Sequence, residues 1–384
     1  MNDFLIPFNL PSADQRSIDY LQTTLSNRKF SGDGPFTHRC QELLTRHSDV
    51  SKVLLTHSGT GALELALMSM DLSEGDEIIL PSFTFSSSAN AIVLRGGVPV
   101  FVDVRSDTLN IDETLIREAI TDKTRAIMPV HYAGVACEMD LISSIAQEFN
   151  LYVVEDAAQA FLSTYRGSQL GSIGDFGAFS FHETKNISCG EGGALLIQCP
   201  QTAKRASVLR EKGTNRDAFI RGETDKYTWI DIGSSFLLSE FGAAVLAAQL
   251  EDCLAITARR IDMWNNYYEL TGNLEARAML VRPSIPDHCC HNGHIFWVLL
   301  SDGVDRHKVI QNMKKARVQA TFHYVPLHSS PQGLRCARAI GDLQQTDRAG
   351  AQLIRLPLWN GLTRDQQQYV VQSLEDAISA SLDE

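Results

Sequence analysis

The chain has 384 residues, 44% of them hydrophobic, and 34 basic against 46 acidic side chains give a formal net charge of −12. That length supports one large and one smaller domain with ample buried core, and the acidic balance disfavours nucleic acid as a partner. No apolar run approaches the roughly 20 residues that a bilayer-crossing helix needs, so no membrane partner is expected.

The opening residues Met1-Asn2-Asp3-Phe4 lack the basic and apolar regions of a secretion signal, and a cytoplasmic location is the expectation. Eight cysteines, at 40, 137, 189, 199, 253, 289, 290 and 336, show no paired framework and no repeated C-x-x-C, so they read as reduced thiols.

An extended arm over 7–11 leads to a helical stretch over 14–25, then to the turn-rich Phe30-Ser31-Gly32-Asp33-Gly34-Pro35 and another helix. A strand over 53–56 runs into His57-Ser58-Gly59-Thr60-Gly61-Ala62 and a helix-like 63–70. Backbone N–H groups at that helix start would face an anion. Strands follow at 77–80, 99–104, 125–131, 152–155, 176–181 and 194–198, with helical patterns between several of them. The alternation predicts an α/β fold. Beyond it a long helical pattern over 246–264, a strand over 296–300, a helix over 306–316 and the segment 321–324 predict a smaller α+β part. The division is set at 1–250 and 251–384.

Two strand ends carry the chemistry. Val153-Val154-Glu155-Asp156-Ala157-Ala158-Gln159 is an apolar strand ending in two carboxylates and a small-residue turn. Phe179-Ser180-Phe181-His182-Glu183-Thr184-Lys185-Asn186, followed by Gly190-Glu191-Gly192-Gly193, puts Lys185 just past a buried strand, and strand ends are where α/β proteins keep their sites. An aldehyde cofactor of the pyridoxal phosphate (PLP) type requires a lysine, a carboxylate for the pyridine nitrogen and a phosphate cradle. Each residue also has a plain reading: Lys185 a surface charge, Asp156 a helix cap, Ser180 a buried hydroxyl, Gly59 and Gly61 turn residues. His288-Cys289-Cys290-His291, with His294 beyond, lacks the spacing of a zinc site and reads as a polar loop entering a strand, so no metal is expected. For a phosphorylated substrate the candidate cations are Lys212, Arg216, Arg221 and Lys226.

Taken together and in this order, the motifs resemble the DegT/DnrJ/EryC1/StrS sugar aminotransferases over essentially the whole chain. The resemblance implies fold type I, with a large domain of mixed, mostly parallel sheet flanked by helices, and pyridoxal 5'-phosphate as cofactor. It implies that Ser58-Gly59-Thr60-Gly61 and Ser180 hold the phosphate and that Phe85, in Pro81-Ser82-Phe83-Thr84-Phe85-Ser86, stacks on the ring. It further implies that Asp156 pairs with the pyridine nitrogen, Gln159 lies near the phenolic oxygen, and Lys185 forms the Schiff base. Members with histidine at the lysine position dehydrate their substrates, and lysine here implies aminotransfer.

Phe322-His323-Tyr324-Val325-Pro326-Leu327-His328 resembles the family's loop near the nucleotide-sugar pocket, which makes His323, Tyr324 and His328 substrate candidates beside the reading of structural histidines. The family's G-x-N-x-R stretch, which reaches the neighbouring subunit's phosphate, is Gly233-Ser234-Ser235-Phe236-Leu237 here. Ser235 retains a hydrogen-bonding group, whereas Leu237 cannot replace a guanidinium. A homodimer is implied, with 219–235 reaching across.

Three runs resemble a narrower branch that makes dTDP-4-amino-4,6-dideoxygalactose: 131–140, Glu211-Lys212-Gly213-Thr214-Asn215-Arg216, and Asp225-Lys226-Tyr227-Thr228-Trp229. That branch implies L-glutamate as donor, a dTDP-sugar as acceptor, and Lys226 and Tyr227 near the substrate. A C3-specific or gluco-forming enzyme, and a non-catalytic PLP-binding protein, remain as alternatives.

Overall fold

The computed structural model describes residues 5–382; Met1-Asn2-Asp3-Phe4, read above for a signal, lie outside the described residues. Eight strands form one sheet in the order Lys52–Thr56, Gly193–Ile197, Phe176–Ser180, Tyr152–Asp156, Thr124–Ile127, Glu77–Pro81, Val98–Val102 and Arg338–Ala339. Gly193–Ile197 runs antiparallel to both neighbours, and every other pairing is parallel. This is the mixed, mostly parallel sheet flanked by helices of fold type I.

The strands are apolar on both faces because both are covered, as a parallel sheet requires. Pleating sends alternate side chains to opposite sides. Leu54, Ile78, Leu80, Val154, Ala178 and Leu195 join one core. Val53, Leu55, Ile79, Val153, Phe179 and Leu196 join the other. A third core gathers Trp264, Tyr267, Phe296, Val298 and Ile354 around the antiparallel strands Leu280–Val281, Phe296–Leu300 and Leu353–Leu356. The short strand Arg338–Ala339 returns to the edge of the large sheet, where Arg338 forks onto Glu77 at 2.9 and 2.7 Å.

Several sequence expectations shift in detail. The helix after the first strand starts at Gly59, four residues earlier than the apolar pattern suggested, because the Ser58 hydroxyl caps the Gly61 N–H at 3.0 Å. The pattern over 246–264 is two helices, Glu240–Glu251 and Cys253–Leu270, bent by 66° at Asp252. The expected strand 125–131 ends at Ile127; Pro129 has no N–H to extend the ladder. The segment 321–324 makes a single bridge, Thr321 to Arg355. Cys289–Cys290, expected in a loop, is itself a strand paired with Thr164–Tyr165, so one thiol is buried and the other exposed. No single helix among the described residues is long and apolar enough to cross a membrane.

The end of Tyr152–Asp156 is held unusually firmly. The fully buried Glu155 carboxylate accepts the N–H groups of Gly171, Ile173 and Gly174 at 2.7 Å each. His131 Nδ1 accepts the Cys137 N–H, so its Nε2–H donates to Glu155 at 2.9 Å. Replacing the carboxylate would strand four buried donors. Glu155→Ala is expected to cost about 3 kcal/mol of stability, read as a lower urea midpoint; an unchanged midpoint would contradict this anchoring role.

Candidate active site

Strand ends and the loops after them line a cavity of about 500 Å³. Phe176–Ser180 delivers Lys185 through a loop that is tied at several points. Phe181 N–H donates to Gly192 O at 2.8 Å, Glu183 N–H to Gly190 O at 2.9 Å, and Lys185 N–H to His182 O at 2.9 Å. Its neighbour Asn186 bonds Asn292 O and His294 Nδ1 at 2.8 and 2.9 Å. The lysine therefore projects from a braced loop into the cavity. Burial pushes its ammonium down to about 8, a shift that Asp156 opposes and the Arg355 guanidinium reinforces.

Asp156 faces the same cavity from the end of its strand. Ser88 donates to its Oδ2 at 2.7 Å and the Ala158 N–H to its Oδ1 at 3.2 Å, which fixes the plane of the carboxylate. Gln159 is held between two partners, accepting the Ala133 N–H at 2.7 Å and donating to the Tyr324 hydroxyl at 2.7 Å. Phe85, 59% exposed by itself, presents its ring to the cavity.

At the other end lies the start of helix Gly59–Ser69. The N–H groups of Gly59 and Thr60 have no hydrogen-bond partner among the described residues, as expected for a first turn. Thr60 and Ser87 share a hydrogen bond at 2.7 Å, and Ser180 comes up from below. A Cβ on Gly59 would stand 2.8 Å from Ser180 Cβ, so glycine is what lets the helix start approach the strand end.

The structure thus gathers Gly59, Thr60, Phe85, Asp156, Gln159, Ser180, Lys185, His323 and Tyr324 in one cavity. His323 Nδ1 meets the Tyr132 hydroxyl at 3.1 Å, and burial first, then nearby Arg355 and Lys185, hold its imidazolium well below the usual range. Gly61 follows in the same first turn and does not line the cavity; a Cβ there would stand 2.9 Å from the His57 ring and 3.3 Å from that of Phe236. His328 is behind the wall, bonded to the Ser82 hydroxyl at 2.8 Å and 3.5 Å from Asp347. Lys226, Tyr227 and Ser235 are exposed and do not line the cavity of their own chain. The candidate cations are also elsewhere: Lys212 and Arg216 face Glu211, and Arg221 forks onto Glu223. Among the described residues the cavity's cations are Lys185, Arg260 and Arg355.

Sequence reasoning passed over Arg355, although an arginine within the apolar strand Leu353–Leu356 was a visible signal. It also missed Ser88, which reads as an ordinary first-turn serine until the fold brings it to Asp156. Phe8 and Asn9 of the N-terminal arm join the cavity through contacts more than 170 residues away in sequence, Asn9 Nδ2 donating to Glu183 O at 3.0 Å.

Residues 11–375 match the model of the DegT/DnrJ/EryC1/StrS aminotransferase family. The chain belongs to this family. It is 31% identical over 376 residues to GDP-perosamine synthase of Caulobacter vibrioides, covering 96% of this chain and 97% of that one. Spr1654 from Streptococcus pneumoniae, solved in a PMP form, superposes with a TM-score of 0.91 at 25% identity, over 98% of this chain and 100% of that one. DesV of S. venezuelae superposes with a TM-score of 0.87 at 28% identity, over 97% and 98%.

As a member of the DegT/DnrJ/EryC1/StrS family the chain is a PLP-dependent aminotransferase, and its cavity suits that cofactor. The unpartnered N–H groups of Gly59 and Thr60 and the hydroxyls of Thr60, Ser87 and Ser180 suit a phosphate, and a planar aromatic, a braced carboxylate and a lysine of lowered pKa line the same space.

The lowered pKa sets a pH dependence. Only the neutral amine attacks an aldehyde, so the rate at which apo-protein captures PLP is expected to rise with pH and level off above about 8, where free lysine would still be mostly protonated. Asp156→Asn removes the one group that raises this pKa, so the midpoint is expected to move lower still. Stopped-flow capture rates across pH check both; a midpoint near that of free lysine would contradict them.

Proposed function

We propose that this aminotransferase acts on a nucleotide sugar, moving an amino group from L-glutamate to C4 of dTDP-4-dehydro-6-deoxy-D-glucose to give dTDP-4-amino-4,6-dideoxy-D-galactose for surface-polysaccharide synthesis. The observation that carries the aminotransfer is the convergence of Lys185, Asp156 and Phe85 on one cavity. A sugar substrate is supported by the similarity to GDP-perosamine synthase. The dTDP-hexose and the C4 position are supported by the sequence runs 131–140, 211–216 and 225–229.

In this reading Lys185 is the catalytic residue and carries the cofactor. Gly59, Thr60, Gly61 and Ser180 surround its phosphate, Gly61 through the shape of the turn. When bound, PLP supplies an aldehyde that carries the amino group and a ring that takes up electrons. Asp156, its plane fixed by Ser88 and the Ala158 N–H, stands as an anionic acceptor for the ring N–H. Gln159 offers its amide to the phenolic oxygen. Lys185, with a pKa near the working range, takes the proton from the donor's α-carbon and returns one on the same face. His323 and Tyr324 orient the hexose, and His328 positions their loop through Ser82.

We also propose a homodimer. The segment that carries Lys226 and Tyr227 exposes Phe219, Ile220, Tyr227, Trp229, Ile230 and Ile232, a density of exposed large apolar side chains that supports a covered surface. Lys226, Tyr227 and Ser235 would then serve the partner's cavity. Residues 1–250 and 251–384 are taken as the cofactor-binding and smaller domains, and the cytoplasm as the place of work.

NMR of the product from PLP-loaded protein, glutamate and the dTDP-keto-sugar tests the reading. An axial amine at C4 is expected. An equatorial amine or one at C3 would keep the aminotransfer and remove this substrate assignment, and no amine at all would remove both.

A further inference from the structure

A chain of two buried hydroxyls ends on Asp156. Ser88, on the helix Ser86–Val93, lies 2.7 Å from Oδ2, and the Thr84 hydroxyl lies 2.9 Å from that of Ser88. Thr84 is 1% and Ser88 0% exposed, and neither hydroxyl has a further hydrogen-bond partner among the described residues. Thr84 follows the strand Glu77–Pro81 and Asp156 ends Tyr152–Asp156, so the hydroxyls reach across the strand between them, Thr124–Ile127. The adjacent serine turns elsewhere, Ser87 bonding Thr60 at 2.7 Å.

Burying a hydroxyl is costly unless it is bonded, and each hydroxyl has a single proton to give. An ionised carboxylate only accepts, so the Ser88 proton is committed to Asp156. The Ser88 oxygen is then an acceptor, and the contact to Thr84 is made by the Thr84 proton. Both donors therefore point the same way, toward the charge. Hydrogen bonds to an ion are roughly twice as strong as neutral ones, and in a low-dielectric interior each bond of a chain strengthens the next. The arrangement favours an anion at its end.

We propose that Thr84 and Ser88 form a one-way hydroxyl relay that holds Asp156 as the anion and so keeps the proton between it and the cofactor on the ring nitrogen. Ser88 is a positioning residue, and Thr84 acts through it. The proposal rests on the aminotransfer reading above, in which Asp156 accepts the ring N–H. A proton drawn onto Asp156 would leave the ring a poorer electron sink, and the relay opposes that transfer. Segment 84–88 then serves the cofactor in three ways: Thr84 and Ser88 through Asp156, Phe85 as the aromatic at the cavity, and Ser87 with Thr60 for the phosphate.

The test is NMR of PLP isotopically labelled at its ring nitrogen, bound to the wild type, Ser88→Ala, Thr84→Val and the double variant. In the wild type the ring nitrogen is expected to be protonated. Without the Ser88 donor the carboxylate pulls harder on the shared proton, so Ser88→Ala should move the ring N–H proton downfield and the nitrogen toward its unprotonated value. Thr84→Val should move both in the same direction by about 10–30% as much, the scale on which one hydrogen bond strengthens the next. Added to Ser88→Ala it should change nothing more, because Thr84 acts only through Ser88. An upfield proton in Ser88→Ala would mean that the hydroxyl merely orients the carboxylate, and would overturn the relay, as would unmoved signals or additive effects. If Ser88→Ala does not hold PLP, Thr84→Val decides alone: it leaves the Ser88 contact to Asp156 in place, and an unmoved nitrogen signal there would overturn the proposal. An unprotonated ring nitrogen in the wild type would remove the Asp156 assignment and the relay with it, whereas a protonated one with unmoved variants would remove the relay and leave Asp156 in its role.

Discussion

The site depends on two adjacent carboxylates that the pleat of one strand sends to opposite faces of the sheet. Glu155 turns inward and is consumed by structure, accepting three loop N–H groups and the His131 Nε2–H. Asp156 turns toward the cavity and is left with one hydroxyl and one N–H, so its charge stays available. The division is enforced by geometry, because neighbouring residues of a strand cannot share a face. Because Glu155 fixes the loop 171–174 and the end of the strand, Asp156 meets Lys185 from a rigid platform.

The electrostatics of the cavity follow from that platform. Lys185 is partly desolvated, which favours its neutral form, while Asp156 favours the charged one; the balance puts its pKa about 8 rather than at either extreme. His294 and His323 are driven well below the usual imidazole range by burial and by the neighbouring cations, so they enter as neutral hydrogen-bonding groups. Burial likewise raises the Tyr324 phenol, keeping it a proton donor that Gln159 orients. The result is a site where Lys185 is brought toward neutrality while His294, His323 and Tyr324 are moved away from it.

Local signals in the sequence were enough for seven of the eight strands of the large sheet and for the residues at their ends, but not for Arg338–Ala339, Leu280–Val281 or Leu353–Leu356. Lys185, Asp156, Ser180 and the Gly59 turn each lie within a few residues of an apolar run, and strand-end logic applies to them directly. What could not be read depends on contacts between distant segments. Ser88 reaches Asp156 across 68 positions and Asn9 reaches Glu183 across 174, and neither serine nor asparagine carries a mark of that in its own neighbourhood. The break at Asp252 was hidden because alanine-rich and arginine-rich turns on either side continue the same helical pattern. Lys226, Tyr227 and Ser235, drawn from motif resemblance, are exposed in the single chain, so their distance from the cavity is a property of the fold that no run of residues encodes.

The central claim is that Lys185, among all the lysines of the chain, is the one that bonds to PLP. Borohydride reduction of the PLP-loaded protein, followed by proteolysis and mass spectrometry, reads this directly. The account predicts one pyridoxyl-modified peptide, the one containing Lys185, and its disappearance in Lys185→Ala. A modified lysine anywhere else, or a protein that binds PLP without becoming labelled, would contradict it.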